Sequence, residues 1–460
     1  MKGAKAMGEV GVAMNRKYAI RRRWIMGALG LAMAAAGFVA SQAKAGEARQ
    51  RWEQLCQIRQ DKLDLILPDA MRENEIDMWI VAGREGHDDP NAAMLGGGYI
   101  GDVGFYIFHD SGAGRIERIA LGIGGAAFHQ CPLYDVTGRA EQLRALVEAR
   151  NPRHIAVNIA QHIGTADGLS HGQYEALREA LGPDLSARLV PAEKLVSDFR
   201  SRHSATEIAA FAKAGEYARR IAERALSSEV IEPGRTTIGE VAWWMMEELH
   251  REGLGNSFGL PSVYILGPGE RGPVSGDHII QRGDLITLDW GVSYLLSYTD
   301  MKRMAYVLKP GENAPPPGVQ RAFDQARAIR EMIRAVIRPG VRAGDALAEV
   351  NARVAATPGL VLGRYDDPSA DPRVSDVVIG SHSVGDWGHG SGPSMADFNP
   401  LRMSYVLQST NFLSVELFLY TPVAEWGGRK IKIPLEDNGV VTPRGLEWVY
   451  PANNRILLVK

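Results

Sequence analysis

The stretch DWGVSYLLSYTD, residues 289–300, carries an aspartate at each end and decides how the chain is interpreted. It follows residues 285–288 (LITL) and precedes residues 301–307 (MKRMAYV), two segments with the composition of core strands. A carboxylate that is buried without a partner costs several kcal/mol of stability or takes up a proton. Asp289 and Asp300 therefore indicate that positive charge lies beside them inside the fold.

Two more acidic residues stand inside apolar, strand-like segments. Glu416 lies within residues 412–420 (FLSVELFLY), and Glu436 ends residues 431–436 (IKIPLE). A single acid on a strand normally faces solvent, but the apolar flanks here leave no face that is clearly wet. Because four carboxylates would repel one another, the pattern predicts a pair of divalent cations between them. An arginine-rich pocket is the alternative.

A histidine that could complete such a site is found in residues 381–393, SHSVGDWGHGSGP. This segment contains His382 and His389. An isolated histidine is more often a surface residue or a hydrogen-bonded core residue than a ligand. Glycines flank His389, however, and they let the backbone come close to a bound group. His389 is therefore the stronger candidate for a metal ligand.

In chain order, these residues resemble the ligand pattern of the pita-bread metallopeptidases. That family includes methionine aminopeptidase, aminopeptidase P, prolidase and the metal-free relative creatinase. The resemblance extends over residues 198–450 and includes DMKRMAYV (300–307) and EDNGVVT (436–442). It implies an α+β fold, with a pita-bread domain at residues 198–460 behind a smaller α/β creatinase-like domain at residues 46–197.

The resemblance also implies a dinuclear metal site and a hydrolase. Asp289 would hold one metal ion, Asp300 and Glu436 would bridge two, and His389 and Glu416 would complete the second. This oxygen-rich ligand set favours Mn²⁺, with Fe²⁺, Co²⁺ or Zn²⁺ as alternatives. The implied reaction is cleavage of a peptide or amide bond by a metal-bridged hydroxide, as in Xaa-Pro aminopeptidases and prolidases. The predicted catalytic residues are Glu416 (as a proton carrier), His382 and Arg303.

Several positions depart from the family pattern around this predicted metal cage. Gly272 stands where a histidine normally precedes the first metal aspartate. Residues 393–398 (PSMADF), with Ala396, Asp397 and Phe398, lack the substrate-facing histidine that normally follows the metal histidine. Leu417-Phe418 replaces a Pro-Gly pair, and Pro434 replaces an arginine before the last glutamate. The groups that bind substrate are therefore altered.

These departures leave two other functions open: an enzyme of this family that acts on a non-peptide small molecule, and a metal-binding pseudoenzyme. Other side chains could also replace the missing histidines. The candidates from nearby loops are His278, His382, Arg271 and Arg429, and the candidates from the N-terminal domain or a partner subunit are Arg84 and His87. The two-domain members of the family commonly dimerise, so a homodimer is expected.

The N-terminus has the pattern of a secretory signal peptide over residues 1–45. A basic segment precedes an apolar run from Trp24 to Ala40, and Ala43-Lys44-Ala45 is a small-x-small cleavage signal. Residues 21–25 (RRRWI) resemble a twin-arginine export signal. The apolar run is short and rich in Gly and Ala for a membrane anchor. The prediction is a periplasmic or secreted protein that keeps no stable membrane anchor after cleavage.

Charge and cysteine content add two further limits. The 460-residue chain has a net charge of −2; residues 1–45 contain eight Lys or Arg and one Glu, so removing their +7 leaves −9. This acidic balance argues against a nucleic-acid partner. The two cysteines, Cys56 and Cys131, could form one disulfide in an oxidising compartment or remain two separate buried thiols.

Overall fold

The computed structural model describes residues 46–112, 114–266 and 276–460. Residues 46–55 are helical and belong to one compact unit, and residues Cys56–Lys460 form a second. The predicted signal peptide, Arg271 and Gly272 lie outside the described residues. In the part of the chain that is described, no helix combines the length and apolar character needed to cross a bilayer.

The second unit begins with a mixed six-stranded sheet flanked by short helices. Its strands are β1 (Met78–Gly83), β2 (Tyr99–His109), β3 (Glu117–Gly124), β4 (Val136–Gly138), β5 (Ile155–Val157) and β6 (Leu189–Pro191). Their order in the sheet is β4-β3-β2-β1-β5-β6. The α-helices are Leu67–Glu73, Ala126–Gln130, Leu143–Arg150, His171–Leu181 and Pro183–Ser186, with a π-helix at Lys62–Ile66 and 3₁₀ turns at Ala140–Gln142 and Gly164–Ala166. The central strand β1 is buried along its whole length.

Two helices lead from this sheet into the rest of the unit. Helix Glu193–Ser201 runs across the domain boundary that the sequence predicts between residues 197 and 198. The position of that boundary stays a prediction. Helix Ala205–Ala225 begins with a capping box in which Ser204 and Glu207 satisfy each other's backbone N–H groups. The Ser-x-x-Glu pattern in the sequence indicates this start.

The remaining strands form three sheets. They are β7 (Gly255–Asn256), β8 (Ser262–Leu266), β9 (Leu285–Trp290), β10 (Val292–Tyr294), β11 (Ser297–Tyr298), β12 (Met301–Val307), β13 (Leu360–Leu362), β14 (Ser375–Ile379), β15 (His382–Ser383), β16 (Phe412–Val423), β17 (Arg429–Thr442), β18 (Gly445–Trp448) and β19 (Leu457–Val459). The sheet orders are β11-β10-β7, β19-β12-β9-β8 and β13-β14-β16-β17-β18, with β15 also paired to β16.

Helices cover these sheets and supply the rest of their apolar cores. They are Ile238–Glu252, Pro317–Val336, Ala343–Ala355 and Pro400–Met403, with a 3₁₀ turn at Ala424–Trp426. Phe323 and Ile333 of helix Pro317–Val336 join Leu417 and Leu435 of β16 and β17 in one buried apolar cluster. The result is the α+β architecture that the sequence predicts.

A tight hairpin connects Asp289 to Asp300. Strands β10 and β11 are joined by Leu295 and Leu296, whose φ angles are 50° and 62°. Two successive residues in the left-handed region usually require Asn-Gly or a similar pair. Leu295 packs against the buried Ala214 cluster instead, and this burial offsets part of the backbone strain. At Gly291 an added Cβ would lie 1.8 Å from the Thr299 carbonyl oxygen, so only glycine fits there.

Of the two states considered for the cysteines, the structure has the disulfide. Cys56 and Cys131 are bonded to each other across a sequence separation of 75 residues. No free cysteine remains, because the chain has only these two.

Candidate metal centre

The acidic residues meet because of strand register. Asp289 on β9 lies directly opposite Lys302 on β12, and Glu416 on β16 lies directly opposite Glu436 on β17. Side chains alternate between the two faces of a strand, so Asp300 and Lys302 point to the same face. Like charges in directly opposed positions destabilise a sheet, and the Glu416–Glu436 pair therefore requires a cation nearby.

A buried asparagine holds the two sheets together beside the acidic residues. The Asn438 side chain donates a hydrogen bond to the Asp300 carbonyl oxygen at 2.6 Å and accepts one from the Asp300 N–H at 3.1 Å. Because Asn438 lies on β17, these two bonds fix the start of β12 against the strand that carries Glu436. The sheet contacts thereby position the predicted ligands together.

The two histidines enter the cluster from the segment after β14. The Nε2 atom of His382 lies 3.4 Å from Glu436 Oε1, 3.8 Å from Asp300 Oδ2 and 3.9 Å from Glu416 Oε2. The Nε2 atom of His389 lies 3.6 Å from Asp300 Oδ2. The His382 side chain is 4% exposed and that of His389 is 68% exposed. His382 is therefore the more central of the two.

Among the described residues, three overlapping groups of side chains have their ligand atoms within 4.8 Å of one another and could hold a metal ion. They are Asp300, His382 and His389; His382, Glu416 and Glu436; and Asp289, Asp300 and Glu436. The structure thus brings all five predicted ligands together and adds His382. The individual metal and catalytic roles assigned to them from the sequence stay predictions.

Lys302 is the residue of this site that the sequence interpretation missed. Its Nζ atom lies 2.6 Å from Glu416 Oε1 and 3.1 Å from Asp289 Oδ2, and it also donates to Glu436 Oε2. Lys302 is 7% exposed. The signal was present in DMKRMAYV, because a residue two positions after Asp300 on one strand must point to the same face.

Burial and mutual charge shift the pKa values of these groups in different directions. Burial raises the pKa of Asp289 and Glu416, and it raises that of Asp300 well above its ordinary value, with Glu436 adding repulsion. Burial alone would raise the pKa of Glu436 too, but Lys302 and His382 outweigh it and lower that pKa. Burial would lower the pKa of Lys302, but its carboxylate neighbours raise it well above the usual range. Lys302 is thus a fixed positive charge.

Unpaired buried atoms show where the residues present fit a divalent cation. Within the described ranges of the chain, Asp300 Oδ1 and His382 Nε2 are buried and have no hydrogen-bond partner. Leaving such an atom unpaired costs about 1–3 kcal/mol, a cost that a bound ion would remove. A carboxylate oxygen and an imidazole nitrogen are ligands that Mn²⁺, Fe²⁺, Co²⁺ and Zn²⁺ accept. The donor set at Asp300 and His382 therefore fits a divalent ion.

A cavity of about 630 Å³ opens above the cluster, a size typical of small-molecule sites. Asp289, Lys302, His382 and Glu416 line its base, and Tyr365, Phe398, Arg402 and Phe418 line its walls. At Gly380 an added Cβ would lie 2.6 Å from Glu416 Oε2, so the absence of a side chain there leaves room for this carboxylate.

Not every candidate reaches the cavity. Arg303 points to the other face of β12, where its guanidinium lies 2.9 Å from Asp437 Oδ1. His278 lies near Asp284 at 3.7 Å. Of the described substitutes for the missing histidines, His382 lines the cavity, and His278, Arg84, His87 and Arg429 do not. A catalytic role for Arg303 has no contact with the cluster to support it.

Comparisons with known proteins identify the family. The model of metallopeptidase family M24 matches residues 209–443, which is more than half of the chain. A search of curated proteins by sequence finds no match. Similar solved structures include an X-Pro aminopeptidase from Thermotoga maritima MSB8, with TM-score 0.62, 17% identity, and coverage of 85% of this chain and 99% of that one.

Two further structures show the same fold. A Xaa-Pro dipeptidase from Bacillus anthracis has TM-score 0.59 and 19% identity and covers 87% of this chain and 99% of its own. Aminopeptidase P from E. coli, with the inhibitor Pro-Leu, has TM-score 0.57 and 18% identity, with coverage of 86% and 94%. These likenesses confirm the predicted arrangement of a smaller N-terminal domain before a pita-bread domain. Together with the sequence match, they show that the chain belongs to metallopeptidase family M24.

Proposed function

We propose that this protein is an exported, metal-dependent hydrolase that cleaves a peptide or amide bond in a small substrate. The observation that carries the proposal is the group of His382, Glu416 and Glu436, of which His382 and Glu416 line a cavity of about 630 Å³. The M24 family supports hydrolysis, and the printed activities of the similar structures suggest substrates of the Xaa-Pro type.

The residues of the site would have separate roles in metal binding and proton transfer. Asp300, His382 and Glu436 would hold a divalent ion, with Mn²⁺ proposed because most of the ligands are carboxylate oxygens. Such an ion supplies polarisation of the scissile carbonyl and acidification of water. Glu416 would take up and return a proton, since burial raises its pKa toward the range useful at neutral pH.

The walls of the cavity suit an apolar group beside the scissile bond. The rings of Tyr365 and Phe418 are 4.8 Å apart in an edge-to-face contact, and both line the cavity. The ring of Phe398 also faces it, at the place where the family pattern has a histidine nearby. An apolar wall of this kind would bind a proline ring or another apolar side chain through burial of its surface.

The test is hydrolysis by the chelated and reloaded protein. Mn²⁺-loaded protein is expected to cleave at least one member of a library of Xaa-Pro peptides, other short peptides and amides. Asp300→Ala is expected to abolish both turnover and metal retention, whereas His278→Ala, outside the cavity, should change neither. Turnover that survives Asp300→Ala would refute the assignment.

Export and dimer formation are separate parts of the proposal. The disulfide between Cys56 and Cys131 supports an oxidising compartment, as does the N-terminal sequence pattern. Cell fractionation of the full chain and of a chain lacking residues 1–45 tests export, and equal distribution of the two would contradict it. A molar-mass measurement in solution tests the homodimer expected from the family.

A further inference from the structure

We infer that Lys302 takes the place of one metal ion, and that the cluster binds a single divalent cation on the His382 side. The inference deepens the metal-binding part of the proposed function and rests on it. It concerns the number and position of cations, which can be measured whether or not a substrate is known.

The position of Lys302 follows from the backbone. Residue 302 is directly opposite Asp289 in the β9–β12 pair, and it shares a strand face with Asp300. Its ammonium contacts carboxylates from three different strands, those of Asp289, Glu416 and Glu436. An ammonium has three N–H donors, so each donor has one acceptor. The Phe418 ring, 5.5 Å from Nζ, covers it further.

The two glutamates divide their oxygens between two sides of the site. Glu416 turns Oε1 to Lys302 and Oε2 toward His382, at 2.6 and 3.9 Å. Glu436 turns Oε2 to Lys302 and Oε1 toward His382, the latter at 3.4 Å. One oxygen of each carboxylate thus already serves a cation, and the other remains on the His382 side.

An ion on the Lys302 side would compete with the ammonium directly. Divalent first-row ions approach carboxylate oxygens to about 2.0–2.2 Å. An ion shared by Asp289 and Glu436 would use the same oxygens that Lys302 contacts, and the two positive charges would repel each other at short range. The ammonium therefore excludes an ion from this side.

The His382 side lacks such a cation. Among the described residues of the cluster, the buried atoms without a hydrogen-bond partner are Asp300 Oδ1 and His382 Nε2, and the other Asp300 oxygen, Oδ2, lies 3.8 Å from His382 Nε2. Asp300 and His382 are 2% and 3% exposed. Together with Glu416 Oε2 and Glu436 Oε1 they offer oxygen and nitrogen ligands to one ion, and His389 lies 3.6 Å from Asp300. Glu436 Oε1 also accepts a hydrogen bond from the Ser414 hydroxyl at 2.6 Å, which leaves it a further lone pair for an ion. One tethered ammonium and one ion then occupy the space between the four carboxylates.

The experiment is metal analysis of the whole protein after Mn²⁺ loading and removal of excess metal. The wild type is expected to retain one Mn²⁺ per chain and to show the paramagnetic resonance spectrum of an isolated ion. Asp289→Asn should also retain one, because Asp289 serves Lys302 and not the ion. His382→Ala should retain none. Lys302→Met should retain two Mn²⁺ per chain. The control variant Lys309→Met, which changes an exposed lysine just after β12, should retain one.

Several results would overturn the inference. They are two exchange-coupled ions or none in the wild type, loss of the ion in Asp289→Asn, or an unchanged single ion in folded Lys302→Met. If Lys302→Met does not fold, the wild type and Asp289→Asn decide the question. Two ions with turnover would refute this inference and leave the proposed function standing. One ion without turnover of any peptide or amide would support this inference and refute the proposed function.

Discussion

His382 and His389 illustrate what a single residue's neighbours in sequence can indicate. The glycines beside His389 indicate a backbone that can approach a ligand, and the structure does place that imidazole near Asp300. They carry no information about burial, however. His382 lies opposite Ser414, a residue 32 positions away in sequence, and this pairing brings it into two of the three groups of candidate ligands.

Substituting the two histidines separately should have unequal effects on metal binding. His382→Ala is expected to weaken Mn²⁺ binding by at least about 100-fold, or about 3 kcal/mol, because it removes the central, enclosed ligand. His389→Ala should weaken binding by about tenfold or less, since its side chain is mostly exposed. Titration calorimetry measures both, with His278→Ala as the control. A larger loss for His389→Ala would place the ion nearer the surface than proposed.

At the scale of elements, strand phase separates residues of the site from residues that hold the fold. Glu436 faces the cluster, while its neighbour Asp437 faces the other side and pairs with Arg303 and Arg330, each at 2.9 Å. The same alternation places Lys302 in the site and Arg303 outside it. Because apolar residues flank each acid on both sides, the sequence does not show which strand face the acid occupies. Only the pairing register of β9 and β12 shows that Lys302, and not Arg303, faces the site.

A second buried ion pair connects the π-helix Lys62–Ile66 to helix Ala205–Ala225. Lys62 Nζ lies 2.9 Å from Glu207 Oε1 and also donates to the Arg202 carbonyl oxygen. Burial alone would raise the pKa of Glu207, but Lys62, His203 and the Ser204 N–H outweigh it and lower the pKa to about 2, from an ordinary 4.5. The pair therefore links capping of the long helix to the N-terminal part of the unit.

This pair should make stability depend on pH. The pKa of Glu207 is lower in the folded than in the unfolded chain, so its stabilisation is complete above about pH 4.5 and is lost as the pH falls toward about 2. Glu207→Gln should lower the free energy of unfolding at pH 7 by about 3–5 kcal/mol, since Lys62 loses its counter-charge. The variant's free energy of unfolding should also change less between pH 5 and pH 3 than that of the wild type. Urea unfolding across this range measures both effects. Parallel curves for the two proteins would contradict the assignment.

For the whole molecule, the ordered set of acids and one histidine was enough to predict the family and the fold. Those residues are spread over strands from β9 to β17, and their order implies the topology that unites them. The Leu295–Leu296 turn could not be predicted, because long-range packing and not Asn-Gly chemistry stabilises it. The presence of Lys302 in the site also escaped prediction, since the face that this residue occupies depends on strand register.

The disulfide is expected to stabilise the whole chain. Cys56 and Cys131 close a loop over a separation of 75 residues, for which the chain-entropy relation gives about 4.5 kcal/mol. The Cys56→Ser, Cys131→Ser double variant should therefore unfold at lower temperature and lower denaturant concentration. The wild type in reducing buffer should approach the variant, and the variant itself should not respond to reductant. Equal stability of the oxidised wild type and the variant would show that the bond is not stabilising.

The shared strand face of Asp300 and Lys302 has an evolutionary consequence. Any side chain at position 302 must enter the cluster, so one codon can exchange a dissociable ion for a charge that belongs to the polypeptide. Such a charge cannot be lost to a chelator or to a competing metal-binding protein, and it needs no metal supply. Under the proposed single-ion site, a substitution at position 302 would halve the metal requirement of a two-ion enzyme in a single mutational step.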